Sequence, residues 1–157
     1  MKKSIKFLVL IGLVVLSSCG GMVKNAALKK TTIENEAIPS GFGKESSVLI
    51  CKLVYRNSID RYMKKHIENN YKGKYEFVTK NNLFSSKYDN KDKYRYVFEH
   101  KTTNANPISG PNYSVFSYQI RDRKTNKTYT NGVYSSYFSK LIEAYVLAME
   151  RARTKNK

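Results

Sequence analysis

The stretch from Ser47 to Val54 constrains the fold more than any other part of the chain. Read two residues at a time, it is apolar on both faces except at Lys52. That is the pattern of a strand in the middle of a sheet, covered on two sides. The period then changes. Ile59, Tyr62, Met63, His66, Ile67 and Asn70 fall on one helical stripe across Asn57–Tyr71. Asn57 or Ser58 can cap this helix, and Asp60 lies in its first turn, near the positive end of the helix dipole. Gly73 stops the helix and Tyr75–Thr79 resumes a strand. If the two strands are neighbours, they run parallel through a right-handed crossover.

The second half reads as a meander closed by a helix. Ser85–Asp92 is polar and turn-like. Tyr94, Tyr96 and Phe98 alternate with Arg95, Val97 and Glu99 on a strand, and Thr102–Pro111 is a loop. Tyr113–Arg121 alternates again, with Phe116, Tyr118 and Ile120 on one side. Asp122–Lys127 turns the chain into a returning strand, Thr128–Tyr134, and the two strands form a hairpin. In the closing helix, Ser136–Arg153, the residues Phe138, Leu141, Ile142, Tyr145, Ala148, Met149 and Ala152 make a buried stripe. The order β-α-β-β-β-β-α predicts an α+β fold: a two-layer sandwich with a mixed β-sheet and two helices packed on one face.

The amino terminus carries a different signal. Lys2, Lys3 and Lys6 precede an apolar run from Phe7 to Leu16 that includes Gly12, and Ser17-Ser18-Cys19-Gly20 follows. A charged start, a short apolar stretch and a small-residue exit are the parts of a secretory signal. The apolar run falls short of the about 20 residues that an ordinary spanning helix needs.

Leu16-Ser17-Ser18-Cys19 resembles the lipobox of bacterial lipoprotein precursors. The resemblance implies cleavage before Cys19, removing residues 1–18 as a signal peptide, and a diacylglycerol on the Cys19 thiol. It also implies an export address. Gly20 lacks the aspartate that favours inner-membrane retention in some bacteria, so the expected place is the periplasmic face of the outer membrane in a cell with two membranes. Several acyl chains make a durable anchor where one is marginal. The mature chain would then divide into a lipidated N-terminus and flexible tether, residues 19–45, and one folded domain, residues 46–157. A tether of about 25 residues reaches roughly 25–30 Å as a coil.

Charge narrows the partners. The net charge is +17, and loss of Lys2, Lys3 and Lys6 with the signal lowers it to +14. In a cytosolic protein such a balance points first to nucleic acid. Outside the cytoplasm the available polyanions are headgroups, surface glycans and wall polymers, so nucleic acid is not the expected partner. Thirteen tyrosines accompany this charge. Tyr94, Arg95, Tyr96, Tyr118, Arg121, Tyr129 and Tyr134 would form a face able to stack on sugars and pair with anions. The same residues also suit half-buried strand positions.

Chemistry is sparse. The only histidines are His66 and His100, and the aspartates are Asp60, Asp89, Asp92 and Asp122. None falls in a recognisable nucleophile, acid–base or zinc motif. With Cys19 lipidated, Cys51 has no partner in the chain and reads as a small buried hydrophobe in its apolar run. Gly41-Phe42-Gly43 precedes a strand and does not fit a phosphate cradle. No enzyme, metal or cofactor is expected. Two functions remain: an envelope module that docks a partner protein or complex, and a binding domain for an anionic envelope polymer or glycan.

Overall fold

The computed structural model describes residues 20–44, 46–105 and 113–156. The signal segment and Cys19 lie outside the described residues, as does most of the expected Thr102–Pro111 loop. Residues 20–30 form a helix, α1. Then follow β1 (Leu49–Leu53), α2 (Asn57–Asn70), β2 (Tyr75–Thr79), β3 (Tyr96–Ala105), β4 (Tyr113–Asp122), β5 (Thr128–Thr130) and α3 (Phe138–Lys155). Two short 3-10 turns, Asn82–Phe84 and Ser86–Tyr88, link β2 to β3.

The chain folds as an α+β protein with a five-stranded mixed sheet ordered β2-β1-β3-β4-β5. β1 lies inside the sheet, parallel to both β2 and β3, as its two apolar faces demand. Leu49 and Cys51 face the helices, whereas Ile50 faces the other side with Val48, Val78 and Val97. That second side is covered by the segment between β2 and β3, which contributes Leu83, Tyr88 and Tyr94. Lys52, the one polar break in the run, reaches across the sheet to Glu99 at 2.8 Å.

The longest ladder joins β3 and β4, ten antiparallel pairs from Tyr96↔Asp122 to Ala105↔Tyr113. β3 therefore continues through Thr102–Ala105, where the sequence reads as a loop. The expected hairpin from β4 into Thr128–Tyr134 is present but short. β5 pairs over three residues, and contact resumes only at a bridge between Phe116 and Ser135. Gly132 interrupts it with φ at +65°.

Residues 20–44 correct the sequence reading most. Expected as a tether outside the domain, they are folded onto it. Ala27, Ala37, Ile38 and Phe42 are all at most 2% exposed. Full burial of Ile38 and Phe42 alone is worth about 1.5–3 kcal/mol each. Polar contacts fix the path: Asn131 Nδ2 donates to Thr31 Oγ1 at 2.7 Å, and Asn156 Nδ2 donates to the Phe42 carbonyl at 2.8 Å. The segment packs so closely that a Cβ on Gly43, whose φ is +85°, would lie 2.5 Å from Arg153 Cα. Its apolar residues are too few and too unevenly spaced to form a sustained stripe, so periodicity passes over them.

Helix α3 answers to this extra layer. Beyond its expected stripe, Ala144 and Val146 are also fully buried. Beside α3, Lys24 of α1 pairs with Glu143 at 3.0 Å. On the α2 side, Met63, His66 and Ile67 are buried and Tyr62 meets Phe138 edge-on at 5.6 Å. Asp60 ties α2 to the end of β1 by accepting the Val54 N–H at 3.0 Å.

Candidate functional site

A cleft of about 330 Å³ opens where α2 and α3 end and β1 and β2 begin. Phe42, Leu49, Tyr71 and Tyr96 supply its apolar wall, with Lys72, Lys74 and Arg153 around them. Each arrives for a local reason. Tyr71 is the first residue past α2, its N–H still bonded to the Ile67 carbonyl. Phe42 comes from the folded N-terminal segment and packs on Tyr96 at 5.3 Å and Tyr71 at 6.3 Å. Gly73 is required by close approach. A Cβ there would stand 2.6 Å from the Tyr71 hydroxyl and 2.8 Å from Arg153 Cδ.

The electrostatics are predominantly cationic. Arg153 holds Glu150 through two bonds of 2.6 and 2.8 Å, and the Lys72 N–H donates to the same carboxylate at 3.1 Å. These bonds, led by that to Arg153, keep Glu150 ionised below the usual glutamate range although burial opposes them. Lys72 and Lys74 extend into solvent. Burial pushes the Tyr71 hydroxyl well above the ordinary tyrosine value, so it remains a neutral phenol at physiological pH. Phe42, Tyr71 and Tyr96 are almost fully buried, so their rings form the floor of the cleft without open stacking faces. What the cleft presents to solvent is the positive charge of Lys72 and Lys74, an arrangement suited to an anion.

The tyrosine–arginine face expected from sequence is not assembled. Tyr94, Tyr96 and Tyr118 are 2%, 1% and 1% exposed. Tyr94 belongs to the cluster on one side of the sheet, whereas Tyr96 and Tyr118 belong to the helix side, where Tyr129 also packs. Tyr94 escapes the alternation because it lies in the turn before β3. The two arginines are occupied internally. Arg95 grips Asp122 through Nε and Nη2 at 2.9–3.2 Å, and Arg121 pairs with Glu99 at 3.2 Å. Only Tyr134 is an exposed ring of that set. Of the seven residues, Tyr96 alone lines the cleft.

No family model, curated protein or solved structure matches the chain. The reading of function therefore rests on its own residues.

Other reactive groups lie apart from the cleft. His66 Nε2 is 3.1 Å from Ser139 Oγ between α2 and α3, and Tyr62 stacks on the imidazole. The nearby Glu143 carboxylate is held by Lys24 and Lys140. Neither His66 nor Ser139 lines the cleft at the ends of α2 and α3. His100 sits within β3, not at its end, with its ring 5.4 Å from Phe116. Cys51 is completely buried, and burial drives its thiol pKa far up, leaving it neutral. Among the described residues no three His, Cys, Asp or Glu side chains gather as a metal site, and no helix is long and apolar enough to cross a membrane.

Sequence reasoning missed Phe42, Tyr71 and Arg153 as partners. One signal was visible: Phe42 is an aromatic between two glycines in a segment poor in aromatics.

Proposed function

We propose that the chain is a membrane-anchored envelope lipoprotein whose domain is a non-catalytic interaction module. In this reading Cys19 carries the lipid, and the cleft at the ends of α2 and α3 takes an anionic segment of an envelope polymer or glycan. The observation that carries the ligand class is the placing of Lys72, Lys74 and Arg153 around the wall of Phe42, Tyr71 and Tyr96. A carboxylate, sulfate or phosphate of the polymer meets the two exposed lysines over that buried aromatic floor. The volume falls at the low end of small-ligand sites, which suits one unit of a polymer. The lipobox and the positive charge support the same reading, with attachment at the periplasmic face of the outer membrane in a two-membrane cell.

Docking of an envelope protein has its own observation. β2 is an edge of the sheet, five residues long, and its first residue, Tyr75, directly follows Lys74 of the cleft. An extended partner segment could add to that edge.

Calorimetric titration with a sulfated hexasaccharide separates the two. Charge-driven binding at the cleft should weaken at least tenfold between 20 and 500 mM NaCl, and at least tenfold in a Lys72→Ser, Lys74→Ser double variant. Absence of binding at millimolar sugar, or binding indifferent to both changes, sinks the polymer reading. A crosslinked protein partner that persists in high salt supports docking at the edge.

A further inference from the structure

The large exposed apolar side chains of this domain are not scattered. Among the described residues they are Met22, Tyr55, Phe84, Tyr134 and Tyr137, between 46% and 79% exposed. Strand direction places them at one end. β1 leaves the sheet at Leu53, and Tyr55 stands in its short connection to α2. β2 runs parallel to β1, and Phe84 follows its last residue by five. The bridge between Phe116 and Ser135 brings Tyr134 and Tyr137 beside the first half of β4, at the start of α3. Met22 is in the first described turn of α1. That turn lies along the start of α3, because a Cβ on Gly20 would be 3.6 Å from Lys140 Cγ and Lys24 pairs with Glu143. Single exposed apolar residues need no explanation, but their confinement to one end does.

Two further observations say what this end meets. The described residues begin at this end, and Cys19, the expected lipid site, immediately precedes Gly20 in the sequence. Exposed cations lie at the same end: Arg56 adjoins Tyr55, Arg61 lies in the first turns of α2, and Lys80 follows β2. Tyrosine with its wet hydroxyl and apolar ring, flanked by lysine and arginine, is the chemistry of a bilayer interface. Anionic headgroups attract such basic surroundings over a Debye length.

From this we infer that the end bearing Met22, Tyr55, Phe84, Tyr134 and Tyr137 is a membrane-contact face that seats on anionic headgroups. The inference rests on the lipoprotein reading and goes beyond it by fixing which way up the domain stands. The cleft, at the opposite ends of α2 and α3, then faces away from the bilayer.

Hydroxyl-radical footprinting of the full, natively processed chain tests it, in vesicles of phosphatidylethanolamine with phosphatidylglycerol. Free in solvent, Tyr55, Tyr134 and Tyr137 must oxidise faster than the half-buried Tyr75 beside the cleft. Seated on lipid, they should oxidise at least threefold more slowly than Tyr75. Oxidation that follows solvent exposure, on protein that pellets with the vesicles and carries a lipid-modified Cys19 by mass, overturns the seating while leaving the anchor in place. An unmodified Cys19 overturns the anchor and the seating together. Equal protection on phosphatidylcholine vesicles overturns the preference for anionic lipid.

Discussion

The Tyr145 hydroxyl donates to the carbonyl of Ala37 at 2.7 Å, joining the middle of the last helix to a residue 108 positions earlier. The Tyr129 carbonyl lies 3.1 Å from the same oxygen. One phenol thus pins the N-terminal segment to the core. Tyr145→Phe leaves buried acceptors without their donor and should cost about 1–2 kcal/mol in chemical denaturation. Hydrogen exchange across residues 31–44 should rise with it. An unchanged midpoint and unchanged exchange would show that the segment is held by apolar packing alone.

Tyr118 is the opposite case. It is 1% exposed and its hydroxyl has no hydrogen-bond partner among the described residues. Removing an unsatisfied buried polar group does no harm, so Tyr118→Phe should leave stability unchanged or raise it by up to about 1 kcal/mol. A loss above 1 kcal/mol would reveal a bond that the hydroxyl makes.

Glu99 anchors the polar part of the sheet face opposite the helices. It is 5% exposed and accepts from Lys52 at 2.8 Å, Gln119 at 2.9 Å and Arg121 at 3.2 Å. Burial alone would push its pKa up, but Lys52 and Gln119, with the charge of Arg121, hold it below the usual range. Breaking a fully buried ion pair costs 3–5 kcal/mol, and the partial exposure of both cations reduces this. Glu99→Ala should therefore cost about 1–3 kcal/mol, and Lys52→Met with Glu99→Met together should cost less than the sum of the single changes. Strict additivity would argue that Lys52 and Glu99 do not act as a pair.

The pH dependence has a definite sign. His66 and His100 both sit below the ordinary histidine value. Burial is the main cause at each; Glu143 opposes it at His66, where three lysines add to it, and Arg56 adds to it at His100. A folded chain that binds these protons less readily than the unfolded chain is fully stabilised above about pH 6.5 and loses stability as pH falls through the folded values. Glu99, Glu143, Glu150 and Asp122 are also held low, and their contribution is lost only below their unfolded values of 4.5 and 3.8. Urea midpoints measured from pH 7.5 to 5.5 should decline, and His66→Gln with His100→Gln should flatten that decline. A midpoint that climbs on acidification would reverse the assignment.

The sheet and two of the helices were legible because they carry strong periods. Ser47–Val54 announced an inner strand, and Ile59, Met63, His66 and Ile67 announced the buried face of α2. The failures are of three physical kinds. Residues 20–44 are held by isolated anchors, Ala27, Ile38 and Phe42, and by bonds to Asn131, Tyr145 and Asn156 that no local pattern encodes. The tyrosine–arginine face failed because alternation gives the side of the strand but not what covers that side. Both sides of this sheet are partly covered, so rings at Tyr94 and Tyr96 are hidden in opposite directions. The cleft was illegible for a third reason: Phe42, Tyr71 and Arg153 come from three separate stretches and meet only when the helices end together.

If Cys19 carries the lipid, the folded state of residues 20–44 changes what that anchor could do. A coil would let the domain sweep a hemisphere above the membrane and fish for its target. With residues 20–44 packed on the domain, the protein would be closer to a post. Its height would be bounded by α3, whose 18 residues span about 27 Å. Whatever the cleft grasped would then come down to that height, and encounters would be gained by gliding in the plane of the bilayer, not by reaching out from it.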